Sequence, residues 1–136
     1  MDVFATLGEL YLPNVANSAE MNAISRRLSG EDAFNRALDY LNKNYAENIT
    51  LDVLADYAGF SRYTLSRMFS RHTGATFIQY LNARRVDMAA EMLSQSDLPV
   101  TQVTLRVGFG SIATFNRVFR TQKGCTPSQY RNVYLR

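Results

Sequence analysis

One pattern of about twenty-five residues occurs twice in this chain, roughly fifty positions apart, and this duplication limits the fold more than any other property of the sequence. The copies are LADYAGFSRYTLSRMFSRHTGATFIQY, from Leu54, and VTLRVGFGSIATFNRVFRTQKGCTPSQY, from Val103. Gly59 and Phe60 match Gly108 and Phe109. Gly110 then inserts one residue, after which Ser61, Arg67, Phe69, Gly74, Thr76, Gln79 and Tyr80 match Ser111, Arg117, Phe119, Gly124, Thr126, Gln129 and Tyr130. Each copy has the order small residue, glycine turn, capped helix, which is the arrangement of a helix-turn-helix. Two such readers in one chain imply two sites on one ligand.

Local chemistry places the elements. Thr50 caps a helix through about Ala58, with Asp52 near the positive end of its dipole and Leu51, Leu54, Ala55 and Ala58 facing inward. Gly59 breaks that helix, because a tight turn between crossing helices needs positive φ or a close approach without a Cβ. Ser61 caps a helix from Arg62 to about His72 that buries Leu65, Met68 and Phe69 and exposes Arg62, Tyr63, Ser66, Arg67 and Ser70. Gly74 ends it, and Thr76 with Gln79 forms a capping box opening a long helix to about Ser94, with Phe77, Leu81, Ala89 and Leu93 among its apolar positions. The second copy gives helices from about Val100 to Val107 and from Ser111 to about Gln122. Thr126, Pro127 and Gln129 then open a short last helix, with proline at its favoured first position.

Upstream, Ser29, Gly30, Glu31 and Asp32 read as a helix start of the S-x-x-[DE] kind, leading to a first core helix that places Phe34, Leu38, Leu41 and Tyr45 on one face. The expected fold is all-α, with about seven helices forming two helix-turn-helix lobes joined by a long linking helix. Lobe 1 covers about 31–75, the linking helix about 76–95 and lobe 2 about 98–132, within a domain of residues 29–136. Residues 1–28 have no counterpart in the repeat. There Leu12, Pro13 and Asn14 interrupt a short apolar segment, and Asn17 with Glu20 suits a helix ending near Leu28. This piece reads as a linker, an interaction segment or the remnant of an upstream domain.

Composition narrows the function classes. With 136 residues, 46% of them hydrophobic, the chain can bury one core but is short for two large domains. No run of about 18 apolar residues appears, and the first residues lack a basic region, so neither a membrane span nor a signal peptide is expected. Cys125 is the single cysteine, which excludes an internal disulfide and fits a reducing, intracellular setting. The net charge of +3 is unevenly spread: residues 1–30 hold two basic and three acidic residues, residues 31–136 thirteen basic and nine acidic. Ser61 to Thr73 contains Arg62, Arg67 and Arg71 with no acid, and Ser111 to Lys123 contains Arg117, Arg120 and Lys123 with no acid. A lone charge cluster is usually a solvated face. Here it falls on the same element of both copies, as a polyanion binder requires.

From about Glu31 to Arg131 the chain resembles the DNA-binding domain of AraC/XylS-type transcriptional regulators. The stretches that carry the resemblance are VTLRVGF, FNRVF and GCTPSQYR, several spaced elements in the right order over about three-quarters of the chain. Thr104 departs from the family pattern, which, like Ala55 of the first copy, prefers alanine. The branched hydroxyl there predicts slightly weaker packing of the second lobe, or a return hydrogen bond to a carbonyl one turn back.

The resemblance implies that each lobe puts its second helix into the major groove, that the linking helix holds the readers about one DNA turn apart, and that the DNA bends. Carried over residue by residue, the base-reading positions are Tyr63, Ser66 and Arg67 in the first reader and Ile112, Ala113, Asn116 and Arg117 in the second. Their chemistry fits: arginine pairs with guanine, asparagine with adenine, and Ile112 or Ala113 meets a thymine methyl. Arg62, Arg71, Arg120 and Lys123 are assigned to phosphate, which sets register without reading sequence.

Other residues receive plainer readings. Phe60, Phe69, Phe109, Phe115 and Phe119 are core at helical spacing with Leu65, Met68 and Val118, and Arg85, in line with Leu81, Ala89 and Leu93, is read as one half of a buried or half-buried ion pair. Asp52 and Asp56 lack a third ligand and serve helix-end electrostatics. Cys125 lies outside any Pro-Cys-His-Arg motif and is a small residue beside a helix start. No nucleophile with a base, phosphate loop or metal set is present, so neither an enzyme nor a cofactor is expected. The expected partners are double-stranded DNA and RNA polymerase, with an upstream effector or dimerisation domain outside this chain. The expected location is the bacterial cytoplasm, at the nucleoid. The competing class is a helical adaptor whose lobes bind a protein, for which an apolar groove would stand in place of Arg67, Asn116 and Arg117.

Overall fold

In a computed structural model, residues 18–135 are described. Seven α-helices run through them: α1 (Ser18–Asn44), α2 (Leu51–Ala58), α3 (Arg62–Thr73), α4 (Phe77–Gln95), α5 (Val100–Arg106), α6 (Ile112–Lys123) and α7 (Pro127–Tyr134). No strand occurs among the described residues, and none of these helices is long and apolar enough to cross a membrane. The chain divides into two units, Met1–Asn35 and Arg36–Arg136.

The described part of the first unit is helical, with Met21, Ile24 and Leu28 exposed and Ala33 and Phe34 buried. The expected helix start at Ser29 is corrected here: α1 begins at Ser18 and runs through Gly30, so no helix ends near Leu28. An interior glycine costs a helix about 1 kcal/mol relative to alanine, too little to end a segment with helix-forming residues on both sides. The cap expected from Asn17 lies outside the described residues.

In the second unit the repeat governs the architecture. The Thr50 hydroxyl accepts from Val53 N at 3.1 Å, and Gly59 closes α2 in the left-handed region at φ 81°. Phe60 N then donates to Ala55 O at 2.9 Å, a bond repeated in the other lobe by Phe109 N and Thr104 O at 3.1 Å. Ser61 accepts from Thr64 N and Ser111 from Thr114 N, each at 3.1 Å. Both expected capping boxes close: Thr76 with Gln79 at 2.9 and 3.1 Å, and Thr126 with Gln129 at the same distances.

The matched aromatic residues pack alike. Phe69 meets Tyr80 with ring centres 5.7 Å apart, and Phe119 meets Tyr130 at 5.6 Å. Phe69, Phe115 and Phe119 are wholly buried, each contributing about 1.5–3 kcal/mol by leaving water. The linking helix α4 serves both lobes. Phe77 and Leu81 are buried near its start, while Val86, Ala89, Ala90 and Leu93 join Val103, Val107, Phe109, Phe115, Val118 and Phe119 in the core of lobe 2. Thr104 is 1% exposed and its hydroxyl donates to Val100 O at 2.9 Å, the return bond its position suggested.

Candidate nucleic-acid interface

The period of α3 puts Leu65, Met68 and Phe69 inward and leaves Tyr63, Ser66, Arg67, Arg62 and Arg71 on the exposed face. Tyr63 is 70% exposed, and the Arg67 guanidinium lies 5.5 Å from its ring centre. The phenol ring thus supports the arginine from the side and restricts its rotamers, a cation–π contact of about 0.5–1 kcal/mol at an exposed site. On α6 the same geometry buries Phe115, Val118 and Phe119 and leaves Ile112, Ala113, Asn116, Arg117, Arg120 and Lys123 exposed. Every candidate for base or phosphate contact therefore lies on the open face of one of two matched helices.

Their charges are not equally available. Arg62 Nε sits 3.6 Å from Asp52 on α2, with both side chains about two-thirds exposed. Such a pair is screened and weak. Lys123 Nζ is bound more closely, 3.0 Å from Asp87 of α4, so much of its charge is spent within the protein. Among the described residues no carboxylate stands within ion-pair distance of Arg67, Arg71, Arg117 or Arg120.

Arg85 differs from its expectation. Among the described residues it has no ion-pair partner: Nε donates to Tyr45 O at 2.6 Å and Nη2 to Glu47 O at 2.8 Å, while the guanidinium lies 5.8 Å from the Phe109 ring centre. Burial pulls its pKa below the usual arginine value. The partners are hidden from sequence because they are main-chain carbonyls, distant along the chain, and a carbonyl carries no residue code.

The structure adds a feature the sequence does not disclose. Beside each reader lies an open cleft built from equivalent positions: Leu51, Ser66, Thr76, Phe77 and Ile78 in lobe 1, and Val100, Asn116, Thr126, Pro127 and Ser128 in lobe 2. The first is apolar along Leu51, Phe77 and Ile78. Arginine lines both, Arg62 the first and Arg117 with Arg120 the second, so the second suits an anion better. The one signal for these clefts is the alignment of Thr76 with Thr126 beside the two caps. Among the described residues no cluster of His, Cys, Asp and Glu is arranged to hold a metal.

Comparison with known proteins places these observations. A family model described as a helix-turn-helix domain matches residues 54–132. The chain is 33% identical over 103 residues to a probable transcription factor, PqrA, of Proteus vulgaris, covering 74% of this chain and 84% of that one. Among solved structures, the C-terminal domain of AraT, a response regulator from Geobacillus stearothermophilus, superposes with a TM-score of 0.73 at 31% identity, over 76% of this chain and 87% of the other. The DNA-binding domain of AdpA, a global transcriptional factor solved in complex with a target DNA, gives a TM-score of 0.71 at 33% identity, over 74% and 91%. Uncharacterized HTH-type transcriptional regulators of Staphylococcus aureus are 31% identical over 121 residues; the chain spans 15% of their length.

Proposed function

We propose, since this chain belongs to the AraC-type helix-turn-helix family, that it is a sequence-specific regulator of transcription that inserts α3 and α6 into successive major grooves of double-stranded DNA. The observation that carries this reading is the pair of matched helices whose exposed faces hold arginines with no acidic partner among the described residues. A relative of the same fold was crystallised on its target DNA, which supports the same ligand here.

In this reading Tyr63, Ser66, Arg67, Ile112, Ala113, Asn116 and Arg117 read base edges, and Arg62, Arg71 and Arg120 hold phosphates. Lys123 joins them only when Asp87 releases it. The domain then comprises residues 29–136, works without catalytic chemistry in the bacterial cytoplasm, and touches RNA polymerase through surface away from the readers. The test is a fluorescence anisotropy titration against random duplex and against a duplex selected from a random pool. Binding to both, tighter to the selected site, is the expected result. Absence of binding to any duplex at low salt overturns it in favour of a protein-binding adaptor.

A further inference from the structure

The two readers are equivalent as folds, but the glycines that turn them are not equivalent in their surroundings. A Cβ added to Gly59 would meet nothing within 4 Å, whereas one added to Gly108 would lie 2.9 Å from Ala46 O and 3.0 Å from Ala46 Cα. Gly108 therefore does more than turn the chain, since it lets lobe 2 rest directly on the main chain of residues 45–47, the segment that leads through Ile49 into the Thr50 cap of lobe 1. The same segment is held by Arg85, which stands on α4 between Leu81 and Ala89 and donates to the carbonyls of Tyr45 and Glu47 at 2.6 and 2.8 Å. The same guanidinium lies over Phe109, the residue after Gly108. One segment of lobe 1 is thus held both by the linking helix, through Arg85, and by the lobe 2 turn, through Gly108.

We infer that Arg85 and Gly108 form a clamp that fixes the distance and angle between α3 and α6, so that this clamp, and no base contact, specifies the length of DNA between the two half-sites. This rests on the DNA-reading function proposed above. The clamp acts across a joint that α4 alone would leave soft, since α4 contributes its first half to one lobe and its second half to the other. The bond to Tyr45 O is part-buried and so holds more tightly than one in water, while the bond to Glu47 O is exposed. Inserting one base pair rotates the second half-site by about 34° and moves it by about 3.4 Å, which rigid readers cannot follow. Two sites on one ligand bind cooperatively only where the geometry permits both at once. Arg85 is in this sense a positioning residue.

The experiment uses a selected bipartite duplex and versions with one base pair added or removed between its halves. The wild type is expected to lose at least about tenfold in affinity per change. Arg85→Met, which keeps the apolar stem and removes both donors, is expected to lose less than about threefold while binding each isolated half-site within about twofold of wild type. A second measurement needs no DNA: spin labels at Ser70→Cys and Gln122→Cys, in a Cys125→Ala background, report the distance between the readers, and its distribution is expected to widen in Arg85→Met. An unchanged spacing penalty in folded Arg85→Met overturns the inference. Should Arg85→Met not fold, Arg85→Lys, which keeps the charge but not the fork, replaces it, and a wild-type spacing penalty with a wild-type distance distribution overturns the inference equally. If the wild type binds no duplex, the DNA reading fails by itself, and the label distances still decide whether the clamp holds the lobes.

Discussion

Lys123, the last residue of α6, reaches back to Asp87 on α4 with Nζ 3.0 Å from Oδ1. The ammonium lies on the reader that faces DNA in the proposed function, yet its charge is shared with the protein's own carboxylate. Asp87→Asn is therefore expected to raise affinity for duplex at low salt and to steepen the slope of log affinity against log salt by about one, as a further phosphate contact would. The stability lost should stay under about 1 kcal/mol, since the carboxylate is 62% exposed and screened. Anisotropy titrations at several salt concentrations measure the first effect; an unchanged slope removes Lys123 from the phosphate contacts.

With Arg62, Arg71 and Arg120 assigned to phosphate and Lys123 held back, the unmodified chain is expected to show a salt slope near ~−3. A value near zero contradicts duplex binding altogether.

Asn116 and Arg117 are exposed side by side on α6, without an acidic neighbour in ion-pair range among the described residues. Replacing either with alanine is expected to cost roughly 1–3 kcal/mol on the selected duplex and to relax preference at one base position. The comparison to make is selected against random duplex for each variant. Equal losses on both would reassign the residue to the backbone.

The two turn glycines separate by an unfolding experiment. Gly59→Ala meets only the strain of φ 81° in open space, expected to cost about 1–2 kcal/mol. Gly108→Ala adds to φ 100° a Cβ at 2.9 Å from the Ala46 carbonyl oxygen, so main chain must move, and at least about 3 kcal/mol is expected. Urea melts of the two variants test the order; equal costs would mean that residues 45–47 yield freely.

Thr104 tests the departure from the family pattern. Thr104→Val keeps the shape and removes the donor to Val100 O, a bond worth about 1 kcal/mol. A loss of that size in the melting experiment is expected, and stabilisation would show that the hydroxyl is a burden on lobe 2.

What the sequence discloses and what it hides follow from the range of the interactions. Thr50, Ser61, Thr76, Ser111 and Thr126 cap their own helices, each bond spanning three residues, so they are legible in a short window. The buried face of each reader follows from helical period for the same reason. Arg85 is not legible as it stands in the fold, because its partners are carbonyls brought near by tertiary packing, and the Arg62–Asp52 and Lys123–Asp87 pairs each join two helices. The start of α1 is obscured because Ser29 and Gly30 imitate a cap, while the helix continues through them. The exposed positions of the candidate site are legible, but the clefts beside the readers are not, since each needs three elements to enclose it.

The fusion of two readers into one chain has a consequence for how such a protein changes over generations. In a symmetric pair of identical subunits, one altered codon rewrites both halves of the recognised site together. Here α3 and α6 are encoded separately, with Tyr63, Ser66 and Arg67 on one and Ile112, Ala113, Asn116 and Arg117 on the other. In the proposed function, each half is then free to drift to a new preference while its neighbour keeps the protein anchored.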